Sequence, residues 1–181
     1  MKDQTPLINQ SAPIEAKVTR ARWRCTLLVG SAFACLAASA SAGNLLVNGG
    51  FETGDLTGWL TTLATDGAVT SAEAHDGTYS MEMLAVDFIY QEFAPADKLH
   101  AKSLRFWAKG DVLAGPAYAI VYYRDGTSDQ LFFGGASLSS GDWTEFFLTL
   151  KPKKVVIEAL IETGETTPIY VDDVRLREFS P

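Results

Sequence analysis

Cysteine is nearly absent from this chain of 181 residues: Cys25 and Cys35 are the only two, and both fall within the first 42. Everything after residue 42 therefore has no disulfide and no thiolate site. Positive charge is scarce as well. The first 42 residues hold five of the 15 lysines and arginines but two of the 22 acidic residues, which leaves 10 basic against 20 acidic groups, a formal net charge of −10, on the remainder. A field of that sign repels phosphates, so nucleic acid and anionic membrane surfaces are poor partners, and cations and neutral ligands are better ones. No apolar run is long enough to span a bilayer comfortably. No segment beyond residue 42 has the periodicity of an amphipathic helix. Catalytic signatures are missing too: there is no G-x-S-x-G, no H-E-x-x-H, no P-loop and no EF-hand loop. His75 and His100 sit in polar, turn-like contexts and are expected in solvent. A glycosidase needs two carboxyls about 5 to 9 Å apart across a groove. Glu82, Glu92 and Glu145 are the candidates for such a pair, and nothing in their spacing favours it, so an enzyme is not expected.

What is present at the start is a targeting pattern. Lys17, Arg20, Arg22 and Arg24 precede an apolar run from Leu27 to Ala38 that ends in Ala40-Ser41-Ala42. A basic region, an apolar region and a small-x-small site make a signal peptide, with cleavage expected after Ala42. Cys35 lacks a lipoprotein context, because Ala32 stands where a leucine belongs. The expected product is secreted, periplasmic or held at the cell surface, with no membrane insertion after cleavage. Residues 43–181 suffice for one domain and are too few for two.

Along that domain, strand-like runs alternate with turns. They are Ala68 to Ala72, Thr78 to Leu84, Phe88 to Phe93, Ser103 to Lys109, Tyr118 to Arg124, Gln130 to Phe133, Trp143 to Leu150, Val155 to Ile161 and Ile169 to Leu176. Their regular spacing predicts an all-β fold, an antiparallel two-sheet β-sandwich or jelly roll. Alternation assigns faces. Leu104, Phe106 and Ala108 point inward and leave Trp107 with Arg105 and Lys109 outside; Phe146, Leu148 and Leu150 point inward against Trp143, Glu145 and Phe147. Val155, Ile157, Ala159 and Ile161 are expected inward, opposite Lys154, Glu158 and Glu162. Tyr118 to Tyr123 and Phe88 to Phe93 are apolar on both parities, the mark of central strands with both faces covered or partly covered. In the last run Ile169 and Val171 share one parity while Val174 and Leu176 share the other. Both pairs face the core only if a β-bulge sits at Asp172-Asp173.

The most specific segment is Asn44 to Trp59, NLLVNGGFETGDLTGW. A short apolar strand (Leu45 to Val47) leads into the turn Asn48-Gly49-Gly50, then Phe51-Glu52, a second turn at Thr53-Gly54-Asp55, and Trp59 at the start of the next strand. This opening and the closing run Ile169 to Leu176 resemble the first and last elements of galactose-binding-like jelly rolls, the cellulase-associated carbohydrate-binding modules of the CenC type. The turn His75 to Ser80, the run Ser103 to Lys109 and Trp143 look like interior landmarks of the same family.

The resemblance implies a small exported, non-catalytic domain that binds a polysaccharide or other glycan and holds one structural calcium. It implies Glu52 and Asp172 as side-chain ligands, Asp173 as the substitute if the bulge turns the other way, and oxygens from the first turn at Asn48 and from the turn around Asp76. Calcium takes six to eight or so oxygens and accepts such a mixture. A sugar face needs a flat aromatic and a few fixed polar groups. Trp107 is the leading platform, and Tyr90 with Gln91, Tyr122, and Gln130 with Phe132 are its expected neighbours; Trp59 and Trp143 read as structural. The competing reading is an extracytoplasmic structural or adhesion protein that keeps the sandwich without the sugar site.

Overall fold

All nine alternating runs appear as strands in the structure, a computed structural model that describes residues 43–61, 67–84, 87–111, 115–138, 141–164 and 167–178. The expected signal peptide and its cleavage point after Ala42 lie outside the described residues. The strands are β1 (Leu60–Thr61), β2 (Ala68–Thr70), β3 (Ser80–Met83), β4 (Phe88–Glu92), β5 (Ala101–Gly110), β6 (Ala117–Tyr123), β7 (Ser128–Phe132), β8 (Thr144–Thr149), β9 (Val156–Thr163) and β10 (Ile169–Glu178). They form two antiparallel five-stranded sheets. The first runs β2-β3-β10-β5-β8 and the second β1-β4-β9-β6-β7. Among the described residues there is no α-helix, only short 3-10 turns at Pro95–Asp97 and Gly135–Ser137. The fold is the all-β, two-sheet sandwich expected from the spacing of the runs.

The core lies between the inner faces. The first sheet contributes Met81, Met83, Leu104, Phe106, Ala108, Phe146, Ile169 and Val171; the second contributes Ile89, Ala117, Ala119, Val121, Ala159 and Ile161. Small alanines on the second sheet leave room for the rings of the first. Phe106 meets Phe133 edge-on at 4.8 Å and stacks with Phe146 at 5.5 Å.

The bulge at the acidic pair is present. Asp172 pairs with Trp107 and Arg175 with Arg105, so Asp173 and Val174 together face the single residue Phe106. Asp173 takes a positive φ of 52°, and Val171, Val174 and Leu176 are all buried. A second bulge was not anticipated. β9 shifts register against β6 between Tyr122 and Tyr123, so Val156 takes the buried position expected of Val155 and Ile157. Ala159 and Ile161 are inward as read.

The opening segment is not a ladder strand. Only Asn44 bridges Arg177, and Leu45 N–H donates to the Leu176 carbonyl at 2.8 Å. The Asn44 carboxamide completes the attachment, accepting from Leu176 N–H at 2.9 Å and donating to the Val174 carbonyl at 2.9 Å. The strand stops here because Asn48 and Phe51 both turn with positive φ. Gly49 lies so close to β10 that a Cβ would stand 2.0 Å from the Val174 oxygen. Trp59 follows, stacked on Phe51 at 5.6 Å and donating its indole N–H to the Asn48 carbonyl at 3.0 Å.

Candidate functional site

The second sheet carries an aromatic outer face, because β4 and β6 are apolar on both parities and only one parity is needed for the core. Strand register arranges that face in rows. The middle row runs Leu60, Tyr90, Leu160, Ile120, Gln130 across all five strands. Beside it lie Phe88, Glu162, Tyr118, Phe132 on one flank and Glu92, Glu158, Tyr122, Ser128 on the other. Leu160 and Ile120, 9% and 7% exposed, are the floor; Leu60, Phe132 and Tyr122 stand out at 47%, 50% and 36%. Phe132 meets Tyr118 edge-on at 5.6 Å, and Phe88 lies 6.0 Å from Tyr90. Burial pushes the Tyr122 hydroxyl pKa up, and the charges of Glu158 and Glu162 push it further. At neutral pH this face therefore offers phenol donors beside carboxylate acceptors.

Four expected sugar-site residues, Tyr90, Tyr122, Gln130 and Phe132, thus share one face. Two do not. Gln91 has the inward parity of β4: its Oε1 accepts from Val47 N–H at 3.0 Å and its Nε2 donates to the Val47 carbonyl at 2.7 Å. It pins the opening segment and has no polar group left for a ligand. Trp107, the leading platform, lies on the outer face of the other sheet, where the His75 ring stacks on it at 3.9 Å and 13°. His75, expected in solvent, also meets Trp143 edge-on at 5.8 Å. Trp59 is in the core, as read. Phe88, Tyr118, Glu158 and Glu162 were missed as site residues, although Tyr118 shares the parity of Tyr122.

Three cations on the outer face of the first sheet are instead held in ion pairs. Arg105 pairs with Glu145, Lys109 with Glu73 at 2.7 Å, and Arg175 with Asp173 at 2.6 Å. A depression of about 130 Å³ there is lined by Arg105, Trp107, Glu145, Asp173 and Arg175, and another of about 230 Å³ by Lys109, Asp111 and Tyr170. Both Arg105 and Arg175 are already neutralised, so the smaller depression offers a ligand little charge. Of the three hydrolase candidates, Glu145 and Glu82 belong to this sheet, with Glu82 accepting from the Tyr170 hydroxyl at 2.9 Å. Glu92 lies on the opposite sheet, so it makes no pair across one groove with either of the other two.

The expected metal ligands divide in the same way. Glu52 and Asp172 converge on one turn: Glu52 accepts from Thr78 and Tyr79 N–H at 2.9 Å each, and Asp172 accepts from His75 and Asp76 N–H at 2.8 and 3.1 Å. A methyl group at Gly50 would stand 3.8 Å from Glu52 Cγ and 3.9 Å from Asp172 Oδ1, so both carboxylates border the opening segment. Asp173 is held by both nitrogens of the Arg175 fork. The Asn48 side chain is committed to Thr53 and the Asp55 carbonyl. Asp76 accepts from Gly77 N–H at 2.9 Å. No group of three or more metal-ligating side chains converges among the described residues. The fit to calcium therefore rests on two carboxylates plus main-chain oxygen. Burial leaves Asp172 only 1% exposed and raises its pKa to about 6, against the pull of the three main-chain N–H groups it accepts from. A buried carboxylate with no cationic side chain against it suits a bound cation.

A β-sandwich of two five-stranded sheets with an aromatic, acidic face is the architecture of a ligand-binding module. Residues 43–162 match the family described as carbohydrate binding domain. The chain belongs to that family. Solved structures share the fold. A structure of TmCBM61 with β-1,4-galactotriose is 19% identical, with 75% of this chain and 99% of that one covered and a TM-score of 0.56. A family 16 carbohydrate-binding module is 22% identical over 75% of this chain and all of that one, with a TM-score of 0.56. The second family 22 xylan-binding domain of Paenibacillus barcinonensis Xyn10C is 19% identical over 72% and 98%, with a TM-score of 0.52. No curated protein matches the sequence.

Proposed function

We propose that the protein is an exported, non-catalytic carbohydrate-binding protein that holds a glycan chain on the outer face of the second sheet, at or outside the cell surface. The observation that carries this reading is the row from Leu60 to Gln130, five side chains deep across the sheet and flanked by tyrosine and glutamate. Sugar rings present an apolar face and a hydroxyl edge. Tyr90, Tyr118, Tyr122 and Phe132 suit the first, and Gln130, Glu158 and Glu162 the second. Affinity electrophoresis of the protein against xylan, β-1,4-galactan and other soluble polysaccharides tests it, with Tyr122→Ala and Phe132→Ala as site variants. Retention by at least one polysaccharide, lost in both variants, is the expected result; no retention by any would leave the structural or adhesion reading.

The same reading includes one calcium held by Glu52 and Asp172 with main-chain oxygens, joining the opening segment to the bulge of β10. The ion would neutralise Asp172 and clamp the His75 to Tyr79 turn. Thermal unfolding with and without chelator is the test: the midpoint falls on chelation in the wild type and not in Glu52→Ala. An unchanged wild-type midpoint removes the metal from the proposal.

A further inference from the structure

Each sheet ends on two edge strands, and three of the four are poor templates for further pairing. β1 has two residues and β2 three. β7 carries Asp129, and pairing with a second β7 about its midpoint, Gln130, would set that carboxylate against Leu131. β8 is different. It is six residues long, TEFFLT, with no proline, glycine or lysine and an unbroken register against β5, and none of the described strands lies on its other side. Open main-chain groups on such an edge are ready to pair with another strand. Which groups are open follows from the ladder. Leu150 N–H, one residue past the strand, donates to the Lys102 carbonyl at 3.0 Å. Because the antiparallel pattern alternates, Leu148, Phe146 and Thr144 also turn their main-chain groups to β5, and Thr149, Phe147 and Glu145 turn theirs to the open edge. Phe147, the middle of these three, is 54% exposed. A two-fold axis through Phe147 and perpendicular to the sheet sets Phe147 against itself, Glu145 against Thr149 and Phe146 against Leu148. That register closes about six main-chain hydrogen bonds, two at each of three pairs. It keeps the inward residues of both copies on one side and opposes no like charges. Glu145, the one charge on the strand, is already paired with Arg105 on β5, so the edge is neutral although the chain is acidic.

We infer that the protein pairs with a second copy of itself through β8, as a two-fold dimer in which the two first sheets join into one continuous sheet. Because the axis is perpendicular to the sheets, the outer faces of both second sheets look the same way. The dimer therefore presents two glycan faces to one polysaccharide or one surface, and engagement of the second face becomes intramolecular. This two-valent presentation rests on the function proposed above; the dimer itself does not.

Sedimentation velocity of the protein from about 1 to about 500 μM is the test, in 0.15 M salt, where repulsion between acidic copies is screened beyond about 8 Å. The expected result is a doubling of mass with concentration. Two substitutions should hold the protein monomeric with its circular dichroism unchanged: Phe147→Lys, which sets two ammonium groups face to face, and Thr149→Pro, which removes an N–H at the open edge and leaves the β5 ladder intact. Crosslinking reads the register without disturbing it. In a Cys25→Ser/Cys35→Ser background, Phe147→Cys should form an intermolecular disulfide under mild oxidation and Thr149→Cys should not, because the axis brings the two residues 147 within disulfide reach and separates the two residues 149 by about 14 Å. A monomer at every concentration overturns the inference, and so does a dimer that survives both substitutions or that Gln130→Lys dissociates in their place. Retention by a soluble polysaccharide should fall at least ten-fold in Phe147→Lys while affinity for a short oligosaccharide holds. Equal retention of monomer and dimer overturns the two-valent presentation; a dimer that no polysaccharide retains removes the glycan function and leaves the interface standing.

Discussion

Replacing Gln91 by leucine separates two roles that its sequence position leaves open. The Gln91 side chain is 5% exposed, and its amide closes a two-bond ring with both main-chain groups of Val47. A net hydrogen bond is worth about 0.5–1.5 kcal/mol, and a group left without its partner adds a desolvation cost. Val47 is 48% exposed, so water reaches part of what the substitution strands and keeps that cost low. Two bonds then amount to about 2 kcal/mol. For a domain of this size, each kcal/mol lowers the midpoint by about 3 °C, so a fall of about 6 °C is expected in a thermal melt followed by circular dichroism. Glycan affinity, measured well below the midpoint, should match wild type within two-fold, because the amide faces away from the aromatic rows. An unchanged midpoint would refute the clamp. A ten-fold loss of affinity at full foldedness would show that Gln91 reaches the ligand after all.

Three further outcomes are expected. Gly49→Ala forces a Cβ onto the Val174 carbonyl, 2.0 Å away; overpacking of this kind costs about 1–3 kcal/mol or more, and chemical denaturation should show the loss without a change in the slope. Asp129 is half-enclosed, and although burial pushes its pKa up, hydrogen bonds from Lys151 at 2.5 Å and the Tyr123 hydroxyl at 2.6 Å outweigh that and hold it below the ordinary value of 3.8. Its folded-state pKa is depressed, so its contribution is complete above pH 4 and is lost as pH falls further; Asp129→Asn should flatten the acid limb of a stability–pH profile, and an unaltered limb would contradict the assignment. His75→Ala exposes Trp107 and should red-shift and quench tryptophan emission while leaving glycan affinity unchanged; a loss of affinity would move the site to the other sheet.

The sandwich, nine of the ten strands and most inward residues were legible because they depend on a period of two, which sequence displays directly; the opening segment, read as a strand, makes only an isolated bridge. Leu104, Phe106 and Ala108 needed nothing beyond alternation. The bulge in β10 was legible because it falls between two clean apolar pairs, whereas the bulge in β9 was hidden by Val155, Val156 and Ile157, three adjacent residues that each fit a core position. Parity also separated Trp107 from the core. It could not say which sheet would carry a ligand, nor that His75, from a turn some 30 residues away, would lie flat on the ring. Gln91 illustrates the same limit: it shares the inward parity of Ile89, opposite to that of its neighbour Tyr90, and its hydrogen bonds to Val47 span 44 residues of sequence.

The two-parity strands carry the functional argument further than any single residue does. A buried sandwich strand needs apolar residues on one face only, and the other is ordinarily polar because it meets water. β4 and β6 break that rule with Phe88, Tyr90, Tyr118, Ile120 and Tyr122, and β9 joins them with Leu160 between two glutamates. Coverage by a further strand layer is the usual reason for such a pattern, yet Tyr122, Phe132 and Leu60 stand at 36–50% exposure on that face. An apolar surface in contact with water lowers solubility and adds nothing to folding, which supports the proposal that a ligand covers this face. Aromatic rings spaced by register across the sheet, rather than gathered in a closed pocket, suit a long chain laid over several strands. On the first sheet Arg105, Lys109 and Arg175 are held in ion pairs, and Phe147, on the edge strand, is the one exposed large ring among the described residues.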